Sequence, residues 1–90
     1  MFRIRKGGNG QAVFTLSGRI EADNLAEIQQ QLAKETGDVV LDLKDVTLVN
    51  QDAVEFLVYC EASDITLRLC PGYIRKWMQQ VRDAKMSMKR

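Results

Sequence analysis

Almost all of this chain's reactive side chains are carboxylates. Eleven of its twelve acids fall within residues 7–70, the two cysteines stand at positions 60 and 70, and histidine is absent. General acid–base chemistry needs paired carboxylates in one pocket, or an acid beside a positioned base. Most acids here occur at helix starts or on the outer faces of strands, and no nucleophile–base pair or cofactor fingerprint accompanies them. Cys60 and Cys70 form no CxxC pair and have no histidine to complete a zinc site. A cysteine without a histidine is also a weak nucleophile. Cys60 in a helix and Cys70 at a strand end are expected to pack as small hydrophobes. Gly7-Gly8-Asn9-Gly10 offers a phosphate-cradling loop on paper, but no Gly-Lys-Ser/Thr follows and the next segment reads as a strand. A hairpin turn is the expected use of these glycines. The chain is expected to be no enzyme and to carry no metal or cofactor.

Charge and size narrow the class further. Ninety residues make one domain, expected over residues 1–83, and apolar residues at 46% suffice for one small core. Residues 1–6 hold three bases and no acid, residues 71–90 six bases and one acid, and residues 7–70 four bases against eleven acids. An acidic centre between basic ends can orient a charged partner. The same centre repels phosphates, so nucleic acid is not an expected ligand; a reader of single strands also needs exposed aromatics interleaved with bases. Phe2, Phe14, Phe56 and Trp77 instead fall at expected core positions. No apolar run approaches the ~20 residues that span a bilayer. The opening Met1-Phe2-Arg3-Ile4-Arg5 lacks the apolar centre of a signal peptide. The expectation is a cytoplasmic protein with no membrane insertion.

The elements that position these residues follow from periodicity. Phe2 and Ile4 alternate with Arg3 and Arg5 as a short strand. Residues 12–17 form a second strand, with Phe14 and Leu16 on one face, and Gly18 is expected to end it. From about Glu21 the period becomes helical, with Leu25, Ile28 and Leu32 on one face and Gly37 as the stop. Residues 38–43 form a third strand with Val39, Leu41 and Leu43 in phase. A second helix begins near Asn50 or Gln51, and its apolar residues Ala53, Val54, Phe56, Leu57, Val58 and Cys60 surround most of its circumference. Residues 65–69 form a fourth strand. Pro71 opens a third helix in which Ile74, Trp77, Met78 and Val81 make one stripe. Residues 84–90 are expected to be a frayed basic tail.

The predicted order is ββαβαβα: a single-layer mixed α/β sheet of about four strands with three helices mainly on one face. Strands three and four are predicted parallel, because a helical crossover joins them. Arg3, Arg5, Thr15, Asp42, Thr66 and Arg68, with Val13 and Val40, are expected on the open face.

Leu16-Ser17-Gly18-Arg19-Ile20, the segment from Val39 to Val49 and the apolar helix after it together resemble STAS domains, the fold of bacterial anti-sigma factor antagonists and of sulfate-transporter tails. Leu16-Ser17-Gly18-Arg19-Ile20 is similar to the Leu-x-Gly-Arg-Leu/Ile turn before the first STAS helix. Val39 to Val49 resembles the family's strand and following segment, and an apolar second helix comes next, as in the family. The resemblance runs from about Phe14 to Trp77. It implies a non-catalytic protein-interaction module of bacterial signalling, with an anti-sigma factor or kinase-like regulator as partner. The implied contact residues are Val49, Asn50, Gln51, Asp52 and Glu55. In the signalling members this motif reads approximately Asp-Ser-Ser/Thr-Gly-Leu, and its hydroxyl is phosphorylated. Here the segment is Asn50-Gln51-Asp52-Ala53-Val54, so Asp52 occupies the position matching the phosphosite. Asp52 can be a helix-start acid, worth ~0.3–1 kcal/mol through the helix dipole. It can also be a permanent charge in place of a phosphoserine, at −1 against roughly −1.5 to −2. A phospho-accepting aspartate would need a metal-holding acidic cluster and a lysine, which the sequence does not assemble. Two alternatives stand beside docking: a small-ligand or lipid-binding domain with a pocket between sheet and helices, and a self-associating structural subunit or homodimer using Val13 and Val40.

Overall fold

The computed structural model describes residues 2–8, 11–35 and 37–88. Its elements are β1 (Arg3–Gly7), β2 (Ala12–Ile20), α1 (Ala22–Ala33), β3 (Val39–Val49), α2 (Gln51–Ala62), β4 (Thr66–Arg68) and α3 (Gly72–Met88). The order is the predicted ββαβαβα, and the four strands lie side by side as β1-β2-β3-β4. β1 runs antiparallel to β2, while β2, β3 and β4 are mutually parallel, so the sheet is mixed. Both crossovers step in the same direction across the sheet. Right-handed connections then put α1 and α2 on the same face.

The glycine-rich segment joins β1 to β2, with Asn9 and Gly10 outside the described residues. Gly8 has φ +96°, and a Cβ there would stand 2.4 Å from the Gln11 carbonyl oxygen. Only glycine suits that position.

β2 and β3 run longer than their alternation suggested. Gly18 does not end β2; it adopts φ +85° within the strand and pairs with Val46. β3 continues to Val49, six residues past the predicted end at Leu43. The parallel ladder accommodates this by two register shifts, between Thr15 and Ser17 and between Gly18 and Arg19. Across each shift β3 advances one residue more than β2, which leaves Lys44 and Thr47 as the extra residues of two bulges. Each bulge reverses the facing of the strand. Leu43, Val46 and Val49 therefore all reach the core, at a spacing of three.

The remaining boundaries also shift. α1 ends at Ala33, before Gly37, with Lys34 as its C-cap. β4 shrinks to three residues because Leu69 turns out of the sheet with φ +55°. α3 extends beyond Asp83 to Met88, within the segment expected to be tail; Lys89 and Arg90 lie outside the described residues.

The core fills the space between sheet and helices. Phe14, Leu16, Ile20, Leu41 and Leu43 rise from the sheet to meet Ile28 of α1, the broad apolar face of α2, and Ile74, Met78 and Val81 of α3. α2 buries Ala53, Val54, Phe56, Leu57, Val58 and Cys60, and is the most enclosed of the three helices. Burial pushes the Cys60 thiol up to about 12, in keeping with a packing role. Cys70 is only partly buried, and its thiol is raised mainly by burial.

Candidate functional site

Because β2, β3 and β4 are parallel, their C-terminal ends and the starts of all three helices share one end of the domain. Ligands of open α/β sheets characteristically bind at such an end. Here it holds four of the five expected contact residues at or near the surface, and buries the fifth.

Val49 closes β3 with its side chain in the hydrophobic core. The second bulge turns it inward, so among the five expected contact residues it is the one with a buried side chain. Asn50 follows in extended conformation, and its Oδ1 accepts the Ala53 N–H at 2.9 Å. That bond caps α2 and satisfies one of the unpaired amides at a helix start. Gln51 and Asp52 then project from the first turn, both exposed, with Glu55 half-buried one turn on. The Gln51 side-chain amide donates to Glu55 Oε2 at 3.0 Å. Asp52 makes no side-chain hydrogen bond or ion pair among the described residues, so its charge faces solvent beside the exposed amides of α2. Ala53 is completely buried.

α3 is tied to this end by two bonds that the sequence reading did not anticipate. The Tyr73 hydroxyl donates to the Thr47 carbonyl at 2.7 Å, and the Trp77 indole N–H donates to Gln51 Oε1 at 3.2 Å. Trp77 is thus half-buried, with its nitrogen directed at α2, and is not simply a core residue. Three of the four exposed large hydrophobic residues, Leu48, Leu69 and Tyr73, stand at or just beyond the ends of β3 and β4. Single exposed apolar side chains need no explanation, but three at the end of the sheet that also carries the start of α2 make that end a candidate contact surface.

A second polar feature lies on the open face of the sheet. Asp42 was expected to be exposed there, yet only 6% of its surface is accessible. It sits on an inner strand, and its Oδ2 accepts from Arg68 Nη2 at 3.2 Å while its Oδ1 accepts the Lys44 N–H at 3.0 Å. Burial alone would raise its carboxyl. The Lys44 amide and the Arg68 guanidinium outweigh burial and hold it below the ordinary carboxylate range. Val40 is buried on the same face and Val13 is half-buried. The apolar patch expected to support self-association is therefore largely covered.

Among the described residues the space between sheet and helices is occupied by the buried core. An open groove of about 480 Å³ lies between α1 and α2, lined by Leu32, Ala33, Phe56, Tyr59, Cys60 and Ile65 among others. Among the described residues no three acids or cysteines gather into a metal-holding cluster, and no helix is long and apolar enough to cross a membrane. No protein-family model matches the chain, and no curated protein matches it.

Proposed function

We propose that this chain is a non-catalytic protein-docking module of bacterial signalling, of the STAS type, that binds a regulator through the start of α2. The observation carrying this reading is the meeting of an exposed acid with exposed apolar side chains at one end of the sheet. Asp52 projects from the first turn of α2 while Leu48, Leu69 and Tyr73 flank the same end. Apolar anchors beside a fixed charge are the ordinary anatomy of a specific protein contact. The partner class, an anti-sigma factor or kinase-like regulator, comes from the STAS resemblance, which the order of elements supports.

In this reading the module acts by competition: it occupies the regulator and releases what the regulator had sequestered. Position 52 carries a charge that cannot be added or removed by a kinase, so docking is constitutive in place of switched. Gln51 and Glu55 serve as flanking contacts, and Asn50 acts indirectly by fixing the first turn. The cytoplasm is the compartment where such a regulator would be met.

The test is affinity capture with the native chain and Asp52→Arg side by side. The exposed position should tolerate arginine without loss of fold, checked by circular dichroism. A regulator held by the native chain and lost by the variant supports the reading. Equal capture by a folded variant overturns it.

A further inference from the structure

Strand register sets a cross-strand row of polar side chains on the sheet face opposite the helices. Arg5 pairs with Thr15, Thr15 with Asp42, and Asp42 with Arg68, so the row crosses all four strands. Arg3, Ser17 and Asp45 form the next row, and Arg19 pairs with Leu48 beyond it. Four of the chain's seven arginines therefore lie on one face that no helix covers. All four are exposed. Arginine's planar fork suits carboxylate recognition better than the point charge of lysine.

We propose that this open face docks an acidic segment of a protein partner, whose carboxylates are received by Arg3, Arg5 and Arg68. Asp42 prepares the site: its buried carboxylate holds one Nη of Arg68, while that side chain remains 52% exposed with other donors free to point outward. Arg3 and Arg5 form no ion pair among the described residues. They stand about 7 Å apart along β1, close to the ~6 Å between carboxylates one turn apart on a helix. Leu48, 50% exposed, supplies an apolar contact at the end of the same face.

The exposed arginines are complementary to an anionic segment, and the absence of base-stacking side chains favours an acidic peptide over single-stranded nucleic acid. Single-stranded nucleic acid would require exposed aromatic platforms. None of the chain's six aromatic residues belongs to these rows. The arginines of this surface take no part in the contact at the start of α2, and the two surfaces share only Leu48, so loss of binding in Arg5→Glu is distinguishable from loss in Asp52→Arg.

The probe is a synthetic oligoglutamate peptide, titrated into the ¹⁵N-labelled chain at low and high salt. Saturable amide shifts centred on Arg3, Arg5, Thr15 and Arg68 are expected. They should weaken with salt, and Arg5→Glu should reduce affinity about tenfold or more. The Arg75→Glu/Lys76→Glu variant, altered on exposed positions of α3, should bind as the native chain does. Absence of saturable shifts, equal loss in the α3 variant, or equally tight binding of an oligothymidylate would each overturn the proposal.

Discussion

Replacing Asp42 tests whether a polar group on the open face stabilises the whole sheet. Asp42→Ala removes the acceptor of the Lys44 N–H and the partner of Arg68. A hydrogen bond to a charged group contributes ~1.5–3 kcal/mol. The Arg68 share is discounted to ~0–1 kcal/mol, because half of that side chain is in water. The expected loss is about 2–3 kcal/mol, a fall in Tm of roughly 10–20 °C for a domain this size. Asp42→Asn keeps the shape and one acceptor but loses the charge, so it should cost about 1 kcal/mol. Urea unfolding of the three proteins, repeated from neutral pH into acid, measures both effects. The sign of the pH dependence follows from the lowered carboxyl. Its contribution is fully present above the ordinary value of 3.8 and is lost as pH falls through the folded value below it. The native chain should therefore lose stability more steeply than Asp42→Asn in that acid window. An Asp42→Ala midpoint within ~0.5 kcal/mol of native, the usual scatter of inert surface changes, would refute the reasoning. Identical acid limbs for the native chain and Asp42→Asn would refute the charge component.

Two further changes test the ends of α2. Asn50→Ala removes the cap on Ala53 N–H and should cost ~1 kcal/mol in urea unfolding; an unchanged midpoint would mean that water replaces the cap without penalty. Asp64 holds φ +70° just past the helix, where its N–H donates to the Glu61 carbonyl and the Ile65 N–H to that of Cys60. This is the hydrogen-bond pattern that favours glycine, so Asp64→Gly should raise stability by ~0.5–1 kcal/mol, and a lower melting midpoint would contradict it.

The sequence disclosed the order of elements because hydrophobic period changes cleanly between strands and helices. Residues 12–16 and 39–43 alternate, whereas Leu25, Ile28 and Leu32, or Ile74, Met78 and Val81, recur at helical spacing. The lengths of β2 and β3 were less legible for a specific reason. After Leu43 the buried residues are Val46 and Val49, a period of three that matches neither template. Two successive bulges produce it, and an apolar residue every third position within a strand was the available clue. Asn50 as a cap was also readable, since asparagine is preferred there. The Asp42–Arg68 pair and the links from Tyr73 and Trp77 were not, because each joins residues 26 apart in sequence and exists only once the strand register is set.

The two bulges also explain why polar side chains far from α2 matter to where it begins. Had β3 kept strict alternation after Leu43, Asp45 would enter the core and Val46 would face outward, burying an unpaired charge. The extra residue Lys44 avoids this, and its N–H, displaced from the ladder, is taken by Asp42. After Val46, alternation would place Leu48 inside and Val49 outside. The extra residue Thr47 reverses that, and its carbonyl is taken by the Tyr73 hydroxyl from α3. In both cases a side chain from the sheet face or a neighbouring helix satisfies a backbone group at the irregular position, which is the condition for a bulge to persist. The consequence is directional. Val49 is drawn into the core, Leu48 is left exposed, and Asn50 emerges where its side chain reaches Ala53 N–H. The exposure of Gln51 and Asp52 thus depends on the path that Asp42 and Tyr73 impose on β3, as well as on the apolar pattern of α2 itself.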